Sequence, residues 1–100
     1  MIEKISEITV KNLVDYCRIT EPQPEDIALL ESALNVAKTF ISQYTGRTLE
    51  ELDAMADVVI VVLIMCSDMY DTRSLVYDRE RVHFNYIVET ILNLHQVNLL

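Results

Sequence analysis

The sequence predicts an all-α fold, a compact bundle of about four helices over 10–18, 24–45, 49–72 and 79–96. Three observations predict it. The chain has one Gly and two Pro in 100 residues, which leaves few breaks and favours long helices. Apolar residues recur at spacings of three and four through most of its length. The expected helix starts carry residues that satisfy the free N–H groups of a first turn.

The first helix runs over 10–18, with Thr9 as the expected N-cap. Val10, Leu13, Val14 and Cys17 fall on one face. Thr20 to Gln23, with Pro22, make a turn. The second helix opens at Pro24, a residue suited to the first helical position. Glu25 and Asp26 follow where the helix dipole favours acids. Ile27, Leu30, Leu34, Ala37, Ile41 and Tyr44 form an unbroken apolar seam. The helix ends at Thr45, and Gly46, the only glycine, takes the left-handed position after it.

The third helix, 49–72, starts at a capping box made by Thr48 and Glu51. Its middle, "VVIVVLIM", is β-branched and would suit a buried strand. The flanks favour helix instead. Leu52, Met55, Ala56, Val59, Leu63, Cys66 and Tyr70 carry a helical stripe straight through the run. On the opposite face Ile60, Val61 and Ile64 lie between Asp53 and Asp57 at one end and Asp68 and Asp71 at the other. A helix apolar all round at its middle is buried on all sides. Part of that burial is therefore expected from another subunit, with Ile60, Val61 and Ile64 at the interface. The fourth helix, 79–96, follows Asp78 as cap. Phe84, Ile87, Val88, Ile91, Leu92 and His95 form its stripe.

One hundred residues make a single domain, 1–100. Apolar residues are 51% of the chain and the mean hydropathy is +0.20. A domain of this size buries only roughly two thirds of its unfolded surface, so the apolar excess points to a protein partner. The formal net charge is −8, with the acids spread over both halves. Tight phosphate-backbone binding needs clustered Lys and Arg, which this balance disfavours. Glu3, Lys4 and Glu7 interrupt the N-terminus, so a signal peptide is not expected. The longest apolar run, Val58 to Cys66, is far shorter than the roughly 20 residues of a membrane span, and a soluble chain is expected.

Sites of chemistry are sparse. Cys17 and Cys66 have neither metal-ligand nor disulfide-framework spacing and read as buried free thiols. His83 and His95 form no metal motif and read as surface or edge histidines. Asp68 and Asp71 share a helix face, where a solvated or ion-paired pair is commoner than a catalytic one. No nucleophile motif is present, and the phosphate-loop patterns are absent around Gly46. Catalytic residues, metal ligands and cofactor sites are therefore all expected to be none. Arg73, Arg79 and Arg81 interleave with Tyr70, Tyr77 and Tyr86, a pattern that can serve nucleic acid. Asp71, Asp78 and Glu80 balance those charges, and a subunit contact or salt-bridged loop is the better use. Arg47 stands at the Gly46 corner with no structural role and is expected to contact a neighbour.

Three segments in order are similar to one family. "ISQYTGRTLEELD" closes the second helix, "VVIVVLIMCSDMYDTRSL" follows, and "NYIVETILNLHQVNLL" comes last. Together they resemble the phage head–tail connector (adaptor) family, whose members are also labelled as possible DNA-packaging proteins. The resemblance covers nearly the whole chain, with "MYDTR" and "HQVNLL" its most specific pieces. It implies a structural component of a phage or prophage particle, made in the bacterial host cytoplasm and placed in the virion at the head–tail interface. Such a protein forms a ring of about a dozen copies beneath the portal protein and extends the DNA channel. Its partners are itself, the portal and a downstream connector or tail-completion protein. DNA passes through without sequence-specific binding, and no catalytic residue or cofactor is carried over. The apolar tail Val97, Asn98, Leu99 and Leu100 becomes a docking peptide for the portal or a neighbour. Some relatives carry a longer insertion between the TGR turn and the apolar helix; here it is minimal, so any role of that insertion is not transferred. A small cytoplasmic helical regulator acting through protein or nucleic-acid binding is the competing expectation.

Overall fold

A computed structural model describes residues 2–97 of the chain. Among these residues there is a short 3-10 turn at Ile5–Glu7, six α-helices and no strand. The helices are α1 (Val10–Tyr16), α2 (Pro24–Thr45), α3 (Leu49–Leu52), α4 (Val58–Thr72), α5 (Arg79–Phe84) and α6 (Tyr86–His95). The all-α expectation holds, and two of the four expected helices are each divided in two.

The sequence signals for helix starts and stops act where they were read. Thr9 Oγ1 accepts from the Asn12 N–H at 3.3 Å, and Asn12 Oδ1 accepts from the Thr9 N–H at 2.7 Å. α1 ends at Tyr16, short of 18, because Arg18 turns to a positive φ of 57° and the Ile19 N–H reaches back to the Val14 carbonyl. That closure takes up the last free carbonyls of the helix. α2 runs the full expected 24–45, with Pro24 at its first position and Gly46 at φ 72° after it. Thr48 and Glu51 exchange the two bonds of the capping box that opens α3.

The first division falls at residues 53–57. The N–H groups of Ala54, Met55, Val58 and Val59 each bond three residues back, so the chain tightens and redirects there. Two aspartates hold the break from outside. Asp53 accepts from the Ser6 N–H at 3.0 Å and the Ser6 hydroxyl at 2.7 Å. Asp57 receives a bond from His95. The apolar period continues across the break, since Leu52 and Val58 are both fully buried. The second division is at Asn85, whose backbone is extended at φ −116° and ψ 101°. Its side chain accepts from the Val88 N–H at 3.1 Å and starts α6 afresh. Asparagine is a strong N-cap and a weak interior residue, which is why a helix pattern breaks there.

The core lies where α2, α4 and α6 meet. α2 and α4 make the most extensive pairing, α6 packs on both, and α1 lies across them. From α2 come Leu30, Ala33, Ala37 and Ile41; from α4, Val58, Val61, Val62, Met65 and Met69; from α6, Val88 and Leu92. The two alanines let α4 approach α2 closely, because an Ala leaves room for a neighbour's long side chain. The face of α4 that packs inward includes Val61. No helix among the described residues is long and apolar enough to cross a membrane.

Candidate functional site

Among the described residues, exposed apolar surface includes three places. The first is a groove of about 470 Å³ between the start of the chain, α1 and the first turns of α4. Ile2, Tyr16, Ile60 and Leu63 give it apolar walls, with Asp15 and Asp57 among its polar lining. The second is a groove of about 450 Å³ between α2 and the segment after α4, lined by Val36, Phe40, Leu75 and Val76 and by the uncharged Thr39 and Gln43. The third is the outer face of α6. Tyr86 is 80% exposed and Leu94 72%, with Ile87 beside them.

The residues expected at an interface are dispersed. Ile60 is 37% exposed and lines the first groove. Ile64 is half-buried against the core. Val61 is fully buried in the chain's own core, so it is not available to a neighbour in this fold. The expected face mixed residues that point inward and outward, because the break at 53–57 resets the helix's orientation and the whole α4 run is too apolar for its pattern to show which side is wet.

Arg47 is not the unexplained corner residue that the sequence suggested. Its Nε donates to the His95 carbonyl at 2.6 Å, and its Nη1 lies 3.6 Å from the Glu51 carboxylate. Around it, the last turn of α6 is tied to the end of α2. Tyr44 Oη donates to Asn93 at 2.6 Å, the Gln96 amide donates to the Tyr44 carbonyl at 3.2 Å, and the Val97 N–H donates to the Thr45 carbonyl at 2.8 Å. His95 Nε2 donates to Asp57 Oδ1 at 2.7 Å. The tail residue Val97 is half-buried by these ties, whereas Asn98, Leu99 and Leu100 lie outside the described residues.

The arginine–tyrosine stretch is used within the chain. Arg73 lies 4.5 Å over the Tyr70 ring, Arg79 4.5 Å over Tyr44, and Arg81 4.9 Å over Tyr77. Arg73 also pairs with Asp26 at 3.4 Å, and Asp26 accepts from the Tyr70 hydroxyl at 3.0 Å. Bonds from the Gln23 N–H and the Tyr70 hydroxyl hold the Asp26 carboxyl below its ordinary range. Asp68 and Asp71 diverge. Asp68 receives the Tyr77 hydroxyl at 3.4 Å, while Asp71 is exposed. Burial, with the Asp68 charge adding to it, pushes the Tyr77 hydroxyl up to about 12. Cys66 is buried, and burial likewise pushes its thiol up to about 12. Among the described residues no three His, Cys, Asp or Glu side chains are grouped to hold a metal ion.

The exposed apolar residues Leu75, Val76, Ile87 and Leu94 were not singled out as contacts from sequence, whereas Tyr86 stood in the arginine–tyrosine stretch expected to serve a subunit contact or a salt-bridged loop. One signal was available for the first two: "RSLVYDR" places an apolar pair in a loop between arginines. For α6, the Asn85 cap turns the helix so that Ile87, expected on the inner stripe, faces outward.

No family model, no curated protein and no solved structure matches the chain.

Proposed function

We propose that this chain is a structural adaptor of a phage or prophage particle, which assembles as a ring under the portal protein and joins head to tail. The observation that carries the proposal is the ordered set of three segments, the TGR turn, the apolar helix running into "MYDTR", and "HQVNLL". The exposed apolar surface supports it. A small helical domain with two apolar grooves and a bare helix face has more sticky surface than a lone monomer needs. A closed ring requires two different complementary faces on each copy. The charge of −8 suits a tube through which DNA slides, because a basic wall would hold phosphates.

The competing role, a small regulator that binds nucleic acid or protein, drew its support from the arginine–tyrosine stretch. Those arginines stack on tyrosines of the same chain, which leaves that role less to bind with. The deciding experiment is native mass spectrometry of the chain alone and mixed with a portal protein from the same genome. A ring-sized complex with the portal is expected. A chain that neither self-associates nor binds the portal in that mixture overturns the proposal.

A further inference from the structure

The residues after Asp78 form an arm whose polar ties to the helical body gather at one corner, where α2 ends and α4 begins. α5 and α6 pack on each other across the break at Asn85. At the start of the arm, Arg79 lies 4.5 Å over the Tyr44 ring. At its far end the Tyr44 hydroxyl donates to Asn93 at 2.6 Å, and Arg47 Nε donates to the His95 carbonyl at 2.6 Å. The Val97 N–H donates to the Thr45 carbonyl at 2.8 Å, and the His95 ring adds a bond to Asp57 at 2.7 Å. The elbow between these two ends is exposed, Tyr86 at 80%. Groups of the arm itself brace it. Asn85 Oδ1 accepts from the Val88 N–H at 3.1 Å, and Glu89 lies 3.0 Å from the His83 ring.

Apolar burial adds little to that corner. Among the described residues of the arm, Val82, Val88 and Leu92 are buried, while Tyr86, Ile87 and Leu94 face outward. The larger part of the core belongs to the body. Leu13 of α1, Leu30 and Ile41 of α2, and Met65 and Met69 of α4 are fully buried. The link from body to arm has no regular structure. Arg73 ends α4 at φ 54°, and residues 74–78 lead on to α5. Tyr77 anchors this link. It is buried, with its ring 5.6 Å from Phe40 and its hydroxyl donating to Asp68 at 3.4 Å. Arg81 reaches back to stack 4.9 Å over the same ring.

Proteins open in pieces, and the pieces with few buried apolar side chains open most often. Chain ends are ordinarily loose unless tied down. In this arm the order is reversed, since Asn93, His95 and Val97 near its end carry the bonds to the body. We propose that α5 and α6 form a strap that leaves the α1–α2–α4 body as one unit, with Tyr77 as its hinge and the Tyr44–Arg47 corner as its latch. Closed, the strap places Val88 and Leu92 in the core where α2, α4 and α6 meet. Open, α6 shows those two side chains as well as Tyr86, Ile87 and Leu94. It is then apolar on both faces, and water drives it shut again. The open form is therefore a minor state. The device belongs to this chain alone and does not rest on the adaptor role.

Hydrogen exchange of the full chain tests it, read amide by amide by NMR across a series of low guanidinium concentrations. The amides of Ile91, Leu92 and Val97 are expected to share one opening. They should be about tenfold or more less protected than Ala37 in α2 and Met65 in α4, and only weakly dependent on guanidinium. Val97 is the decisive amide, because its partner lies in α2. Arg47→Ala is expected to speed exchange at all three about five- to thirtyfold. The wild-type series decides without any variant. Exchange of α6 with the same protection and guanidinium dependence as α2 and α4 overturns the strap, because the domain then opens only as a whole. Val97 exchanging at the rate of a free peptide while Leu92 stays protected overturns the latch, because the end then frays. Unchanged rates at all three amides in Arg47→Ala overturn the latch as well.

Discussion

Arg47 Nε donates to the main-chain carbonyl of His95 across 2.6 Å, which joins the corner after α2 to the last turn of α6. The end of a helix exposes carbonyls with no partner inside the helix. Here a guanidinium, half-buried and held from its other side by Glu51, supplies one. Arg47→Ala removes a charged donor from a partly buried carbonyl, so a loss of about 1–2 kcal/mol is expected. Chemical denaturation of the two proteins measures it. Arg47→Lys is expected to recover little, because a flexible point charge does not reproduce the planar donor. An unchanged midpoint for Arg47→Ala would mean that the tie contributes nothing.

Gly46 lies one residue before that corner with φ at 72°. A Cβ placed there would meet only Val97 Cβ, at 3.7 Å, an ordinary contact. The cost of Gly46→Ala is thus conformational and not steric, about 1 kcal/mol. For a domain of this length that lowers the melting temperature by roughly 4–8 °C. Asn is expected to cost less than Ala, since its side chain tolerates the left-handed region. An equal or larger loss for Asn would argue against the left-handed conformation.

Acid is expected to loosen the start of α2. The Gln23 N–H and the Tyr70 hydroxyl, then Arg73, hold the Asp26 carboxyl below its unfolded value against the opposing effect of burial. Bonds from Ser6 lower Asp53 in the same direction, and the Thr48 bonds lower Glu51. A folded-state pKa below the unfolded one contributes stability that is present above about pH 4 and is lost as pH falls through the folded value. The unfolding midpoint should therefore be flat from neutrality down to about pH 5 and drop below about pH 4. Asp26→Asn should be less stable than wild type at neutral pH and show a shallower acid decline, with Asp53 and Glu51 still contributing. An identical slope for the variant and wild type would remove Asp26 from the account.

Helix ends were legible in the sequence wherever a side chain caps its own backbone. Thr9, Pro24, Gly46, Thr48 and Asp78 each act where their type and spacing placed them, because these bonds are local. The breaks at 53–57 and at Asn85 were not legible for different reasons. Asp53 and Asp57 take partners 47 and 38 residues away, and no local pattern announces that. Asn85 is a local signal, but the apolar period runs on through it and masks the new start. The same long-range ties account for Arg47. Its partners include a carbonyl 48 residues away, so the sequence offered no structural role for it. For α4 the difficulty lies in the composition: with nearly every residue apolar, Val61 and Ile60 look alike in sequence, yet one is fully buried and the other 37% exposed.

Cys66 gives a direct measure of how tightly α4 is enclosed. Its side chain is fully buried, and burial pushes its thiol up to about 12. At pH 8 the reactive thiolate would then be roughly one part in ten thousand of the thiol, even for reagent that reached it. Cys17 is half-buried, and its thiol is also raised, first by burial. With a thiol reagent at pH 8, Cys17 should react slowly and Cys66 only when the domain opens. In concentrated guanidinium both should react together at the rate of free cysteine. When opening and closing are fast relative to labelling, the Cys66 rate follows the population of the open state. Gly46→Ala, which costs about 1 kcal/mol, should then accelerate Cys66 roughly fivefold and leave Cys17 little changed. Mass spectrometry of the labelled peptides separates the two sites. Rapid labelling of Cys66 in the native wild type would mean that the α4 face opposite solvent is not closed, and the packing of α1 and α2 against it would have to be redrawn.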